Sequence, residues 1–376
     1  MIVGGGIMGT MHALEGCRRG WEVLQLEADA EPRRASVRNF GLVWVSGRAT
    51  GLELDLAIRA RRRWEDLASD VPDIGFRADR SLTVAGSAAE LSLMAEAADR
   101  SDASIRGFEL LDAAGARSVN PAVRGKVAGG LFCRTDAVVE PTAVLGALRS
   151  ALEKTGTYRW LPRRQAVDVE GGTDGAKDGA TVVDHLGDRH PGTVALLCIG
   201  DCRSGLGGRV GAALEAAPLR RCRLQMMQTA PAPELLATAI ADGDSLRYYP
   251  AFDLPGRSVL PPSDEDTAAW GRQLLLVQRA GGGLTIGDTH VYDEPFDFAV
   301  DEAPYDQLLD RAEGILGWSL PPVVRRWAGV YSLTAEGSTY LTHEVDDGIV
   351  VITGAAGRGM TLSPATAEQT WDRILA

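Results

Sequence analysis

The spacing of apolar residues changes twice in the first forty positions. Met1-Ile2-Val3 is an apolar run, Gly4–Gly9 is glycine-rich, Thr10–Arg19 has helical spacing, and Trp21–Leu26 is a second apolar run closed by Glu27. This predicts strand, turn, helix and strand in succession. Helical spacing returns at Gly51–Ala68 and Ala88–Ala98, and at Pro141–Lys154, where proline suits the start. Short apolar or alternating runs predict strands at Ser81–Val84, Gly129–Cys133 and Ala166–Val169. Thr193–Ile199 predicts another, running into Gly200-Asp201. The middle is then strand-rich, with antiparallel strands expected at Leu219–Thr229, Gln273–Val277 and Leu284–Thr289. The last fifty residues return to the pattern of the first forty, with a strand at Gly348–Thr353, a turn at Gly354–Gly359 and a helix from Ser363 to Leu375.

Similar ends around a different middle predict an α/β chain. One Rossmann-type nucleotide-binding domain is assembled from separated segments, and a second α+β domain is built on an antiparallel sheet. The expected divisions are 1–80, 140–217 and 325–376 for the first, and 81–139 with 218–324 for the second. A length of 376 residues with 45% hydrophobic side chains supports two such cores.

Charge narrows the class of partner. With 51 acidic against 39 basic side chains the net charge is −12, which argues against nucleic acid or an anionic membrane as the main partner and for a small molecule. No apolar run approaches the length of a membrane span and no basic-then-apolar leader opens the chain, so a cytoplasmic protein is expected. Five scattered cysteines fit reduced thiols. Cys198 and Cys202 are the one close pair, and the five histidines show no paired-ligand spacing, so no metal site is expected.

Gly4-Gly5-Gly6-Ile7-Met8-Gly9 is G-x-G-x-x-G directly after an apolar run and directly before a helical pattern. Gly4 permits the tight turn, Gly6 lets a pyrophosphate approach the backbone, and Gly9 lets helix and strand pack closely. The phosphate then sits on the helix N-terminus with Ile7 and Met8. Glu27, about 20 residues further on, is placed to accept from both ribose hydroxyls and disfavours a 2′-phosphate. Only Met1–Val3 precede Gly4. Either a shortened strand suffices or the strand starts upstream of Met1.

NAD and FAD share this fingerprint, and the C-terminal segment chooses between them. Gly354-Ala355-Ala356-Gly357-Arg358-Gly359-Met360-Thr361-Leu362-Ser363-Pro364-Ala365 resembles the closing segment of the D-amino-acid oxidase and glycine/sarcosine oxidase superfamily. Arg325–Tyr331 resembles that family's R-x-W-A-G-L-R run, and Ala195–Gly200 its strand ending in A-T-G. Four further segments carry a closer resemblance: Ser36–Trp44, Leu224–Thr229, Arg247–Pro250 and Gly287–His290. They are similar to a subfamily of FAD-dependent oxidoreductases found with phosphonate-degradation enzymes and implicated in oxidising aminoalkylphosphonates.

The resemblance implies an FAD-binding domain. It places Ser36, Arg38, Asn39, Phe40 and Gly41 along the pyrophosphate toward the isoalloxazine, Ala166 near the adenine, and Gly200 at a strand end by the cofactor. Gly357, Arg358, Gly359, Met360 and Thr361 would lie at the flavin's pyrimidine edge, where backbone N–H groups stabilise charge on the reduced ring. No Cys follows Cys222 and no His lies between His12 and His185, so non-covalent FAD is expected.

The activity implied is hydride transfer from the carbon beside a neutral amine to flavin N5, with hydrolysis of the imine to an aldehyde and oxygen as the electron acceptor. Where the family's run ends in a carboxylate-binding Arg, this chain has Tyr331. The replacement cations are Arg358 and Arg247, with Tyr249 and His290 as further candidates for holding the substrate. A small anionic amine is therefore expected, an N-methylated 2-aminoethylphosphonate in particular. The alternatives are oxidation of glycine, sarcosine or a D-amino acid, or a flavin-binding protein without amine oxidase activity.

Overall fold

The computed structural model describes residues 1–173, 176–202, 205–335 and 337–375. One sheet has six strands in the order Leu341–Asp346, Ile349–Thr353, Ala195–Leu197, Ile2–Val3, Val23–Leu26 and Tyr158–Leu161. All are parallel except Leu341–Asp346. Its strands come from three distant stretches of chain, as the similarity of the two ends requires. The first strand is only two residues long, but it is central. Ile2 pairs with Leu196 and Gln25, and Val3 with Leu197 and Leu26. Two flanking strands hold it, so its length does not limit the sheet.

A helix, Ile7–Arg18, begins at Ile7, three residues before the expected Thr10. Gly4, at φ +105°, turns the chain into it. A Cβ there would lie 2.3 Å from the Cys198 carbonyl oxygen, and one on Gly9 would lie 2.0 Å from that of Gly4. Only glycine permits this approach of helix to strand.

The second sheet has eight strands: Val323–Thr334, Leu219–Pro231, Gly283–Gly287, Leu275–Gln278, Ala239–Ala241, Ser81–Ala85, Gly129–Cys133 and Phe108–Asp112. Its pairs are antiparallel except Ala239–Ala241 with Ser81–Ala85. Both faces are apolar. Along Leu219–Pro231, Cys222, Leu224 and Met226 face one core with Phe40, Trp44 and Tyr331. Met227 faces the other, under the helix Ala303–Leu316. The strand Val323–Thr334 crosses the expected division at 325 and pairs along its length with Leu219–Pro231.

The last helix, Gly359–Leu375, starts four residues before the expected Ser363 and contains Pro364. Proline there removes a donor that would bond the Met360 carbonyl. The buried Trp64 indole N–H takes that acceptor instead, at 3.0 Å. The helix therefore runs through its proline, and Gly359, Met360 and Thr361 form its first turn rather than a loop. Among the described residues no helix is long and apolar enough to cross a membrane.

Candidate active site

A cavity of about 1170 Å³ runs from the carboxyl ends of the parallel strands to the inner face of the eight-stranded sheet. At its first end the Glu27 carboxylate accepts from Gly5 N at 2.7 Å and from Asp29 N at 3.0 Å. Ala166 lines the same end, with Arg164 and Leu214. Next come Gly4, Gly6, Ile7 and Met8 at the start of the first helix. Ser36 Oγ accepts from Ile7 N at 2.9 Å, and a Cβ on Gly6 would approach that Oγ to 3.0 Å. The cradle is thus a backbone surface at a helix N-terminus, shaped for a close anion.

Arg38, Asn39 and Phe40 continue the wall. Arg279 fixes this loop by donating to the carbonyls of Phe40 at 2.8 Å and Asn39 at 2.9 Å. Burial pulls its guanidinium down to about 10. The next segment is pinned by the buried Asp136, which accepts from Val45 N at 2.6 Å, Ser46 N at 3.0 Å and Ser81 Oγ at 2.6 Å. Trp44 and Arg48 are carried by this pinned segment, and both line the cavity. The Trp44 Nε1 is buried without a hydrogen-bond partner among the described residues.

At the far end Arg48 is buried at 4% exposure. Its Nε donates to Trp44 O at 2.7 Å and its Nη1 lies 3.5 Å from Glu53 Oε1. Arg358 Nε reaches the same Glu53 oxygen at 2.8 Å. Burial lowers the Arg48 pKa, and the charge of Arg358 adds to that, against the pull of Glu53. Tyr249 packs near the guanidinium, 6.0 Å from ring centre to Cζ. Tyr248 and Tyr331 meet hydroxyl to hydroxyl at 3.3 Å, and burial holds both well above the ordinary tyrosine range. Asp288 and His290 close the wall. Burial raises the Asp288 carboxyl above the usual range.

Four residues expected at the site do not line this cavity. Gly9 serves the helix–strand approach. Gly41, at φ +70°, takes a turn in which a Cβ would strike the Val139 carbonyl oxygen at 2.1 Å. Thr361 Oγ1 is buried, accepting from Trp44 N at 2.9 Å and donating to Leu42 O at 3.2 Å. Arg247 is the substantive correction. It lies in the last turn of the short helix Ser245–Tyr248, donates to Pro261 O at 2.6 Å and pairs with Asp244 at 3.4 Å, so its charge is turned away from the pocket. Tyr331, Tyr249, His290, Gly200, Gly357, Arg358, Gly359 and Met360 do line it.

The family model for FAD dependent oxidoreductases, DAO, matches residues 1–373. This chain belongs to that family.

An opine oxidase subunit of Agrobacterium tumefaciens is 30% identical over 188 residues, which is 46% of this chain and 50% of the relative. The chain spans about half the length of the curated relatives it matches. Among solved structures, glycine oxidase of Geobacillus kaustophilus superposes at TM-score 0.79 with 19% identity, covering 100% of this chain and 93% of the other. L-α-glycerophosphate oxidase of Mycoplasma pneumoniae, a structure with FAD bound, gives 0.77 at 15% identity, covering 100% and 94%. These likenesses fix the fold.

The residues present fit FAD. Gly4–Met8 would form the phosphate cradle, and Glu27 and Ala166 suit a ribose and a base. The turn Ala356–Arg358 and the helix start at Gly359 present backbone N–H groups at the inner end. Arg48, Glu53 and Asp288 were not expected at the site. Glu53 and Arg48 lie five apart at a helix start, a pattern that surface ion pairs share. Asp288 sits in the segment Gly287–His290, where local sequence carries no sign of which side chain enters the cavity.

Proposed function

We propose that the chain oxidises a small amine carrying an anionic group to an imine, which water hydrolyses to an aldehyde. The proposed substrate is an aminoalkylphosphonate such as N-methylated 2-aminoethylphosphonate. The observation that carries this reading is Arg48, a buried guanidinium lining the inner end of the cavity, whose Nη2 has no hydrogen-bond partner among the described residues. Arg48 and Arg358 share one carboxylate, Glu53, leaving an excess positive charge beside the pocket. Tyr249, whose ring centre lies 6.0 Å from the Arg48 Cζ, stays protonated and its hydroxyl can donate to a further oxygen. A phosphonate, with three oxygens, uses more such donors than a planar carboxylate.

Bound FAD would supply the acceptor for the hydride on the carbon beside the amine nitrogen. The chain's part is to hold the acid group at Arg48, keep that C–H aimed along the cavity, and exclude water. Molecular oxygen is the proposed electron acceptor. A second reading is an amine bearing a carboxylate, such as glycine, sarcosine or an opine, and the relatives named opine oxidase favour it.

The test is anaerobic mixing of FAD-loaded protein with 2-aminoethylphosphonate, its N-methyl derivative, glycine and sarcosine. Selective bleaching of the flavin by the phosphonates is the expected outcome. Bleaching by the carboxylates alone would replace the first reading by the second, and bleaching by none would refute both.

A further inference from the structure

Asp288 is a buried carboxyl group in the cavity wall, 5% exposed, with little to balance it. Its Oδ1 accepts one long hydrogen bond, from Gln273 Nε2 at 3.3 Å. Its Oδ2 faces only His290 Nε2 at 3.7 Å, beyond hydrogen-bond reach. The other ring nitrogen of His290 donates to Gly271 O at 2.9 Å, which fixes the imidazole with Nε2 facing the carboxylate at that distance. Among the described residues no arginine or lysine pairs with Asp288. The remaining titratable groups around it are Tyr248, Tyr249, Tyr292 and Cys222, all neutral acids. A buried anion whose nearest counter-group is an imidazole beyond hydrogen-bond reach is costly, and an acid kept in such a place asks for a closer positive ligand.

The surroundings suit a methylated ammonium. Tyr248, Tyr249 and Tyr331 line the same end of the cavity. Tyr248 meets Tyr249 edge-on at 5.0 Å between ring centres and lies 4.3 Å from the His290 ring. Aromatic faces beside a carboxylate attract an alkylammonium through ring quadrupole and charge together. Tyr249 feels both Asp288 and Arg48, so the negative and positive walls flank it.

We infer that Asp288, with Tyr248, Tyr249 and Tyr331, receives the substrate's ammonium nitrogen, so that the cavity binds a zwitterion with its acid group at Arg48 and its amine at Asp288. This deepens the anionic-amine reading and rests on it. On binding, one ammonium N–H bond breaks and its proton passes to Asp288 Oδ2. The products are a neutral amine, whose lone pair is then free to assist C–H cleavage, and a neutral carboxylic acid. Charges cancel in the exchange and no co-reactant is consumed. Burial, which already favours the protonated carboxyl, favours the same direction.

The test uses ligands that cannot be oxidised. Trimethyl(2-phosphonoethyl)ammonium is cationic at nitrogen at every pH, and 3,3-dimethylbutylphosphonate is its uncharged-carbon isostere. The carboxylate pair is trimethyl-β-alanine and 4,4-dimethylpentanoate. Each is titrated by calorimetry into the FAD-loaded protein, the Asp288→Asn variant and the Asp288→Glu variant, with the flavin spectrum checking that the site is intact. The wild type should prefer the cation of a pair by more than about tenfold. Asp288→Asn should lose that preference while keeping affinity for the isostere, and Asp288→Glu should keep it. Equal wild-type affinity for cation and isostere, or a preference surviving in Asp288→Asn, would overturn the role of Asp288 and leave the anionic reading standing. Cation preference seen in the carboxylate pair alone would remove the phosphonate and keep Asp288. Failure of all four ligands to bind would overturn both.

Discussion

A guanidinium taken out of water is tolerated only when its donors and charge are answered. Arg48 has two of its nitrogens engaged and only a shared carboxylate for its charge. Arg48→Met keeps the stem but removes the charge, and Arg358 still satisfies Glu53, so folding and FAD content should survive. The efficiency of flavin reduction by an anionic amine should fall about 100-fold, as expected for one buried charge pair. Anaerobic reduction rates against substrate concentration read it, and an undiminished rate would remove Arg48 from the site. Gly4, Gly6 and Glu27 were legible in the sequence because strand, turn and helix place them by local spacing alone. Arg48 and Asp288 were not, since their side chains acquire meaning only once distant strands enclose them. Arg247 shows the converse. An arginine beside two tyrosines looked like a substrate clamp, yet a one-turn helix and the Pro261 carbonyl turn it away.

At the level of elements, the first and last helices are clamped together by His12, which is fully buried. One ring nitrogen bonds the Met8 carbonyl at 2.7 Å and the other meets Thr370 Oγ1 at 3.1 Å. Burial pulls its pKa down to about 4. A histidine held below its unfolded value of about 6.5 stabilises the fold at neutral pH and loses that contribution as pH falls through the unfolded pKa toward the folded one. Between pH 7 and 5 the loss should be about 2 kcal/mol. Denaturant melts at the two pH values measure it, and His12→Gln should show a smaller drop by that amount. Equal slopes for the two proteins would show that His12 does not titrate in this way. The element pattern itself was readable in the sequence wherever periodicity was strong. The start of the last helix was not, because proline at 364 argues locally for a later start. What overrides it is a tryptophan 296 residues away in sequence that occupies the freed carbonyl.

For the molecule as a whole, the cavity draws its walls from both sheets, so FAD bound there should stabilise the whole unit. At a free FAD concentration about 100 times Kd the gain is about 2.7 kcal/mol, or roughly 3 °C in Tm for a chain of this size. Thermal melts with and without added FAD test it, and Gly6→Val, whose side chain would press on Ser36 in the cradle, should lose the gain. An unchanged melting temperature in the wild type would argue against cofactor binding in this cavity. The two-sheet plan was legible from the resemblance of the chain's ends. The assignment of residues 323–334 to the antiparallel sheet was not, because a twelve-residue strand carries no mark of which sheet it will join. The order of strands in the parallel sheet also has a consequence for biosynthesis. Its centre, Ile2–Val3, is flanked by Ala195–Leu197, and that strand is flanked in turn by Ile349–Thr353. A ribosome therefore delivers the glycine-rich cradle well before the strand and turn that complete the pocket. In the nascent protein Ile2–Val3 can mate on one side with Val23–Leu26 at once, while its other side waits for Ala195–Leu197, and the pocket is finished only after Ile349–Thr353 and the turn beyond it have emerged.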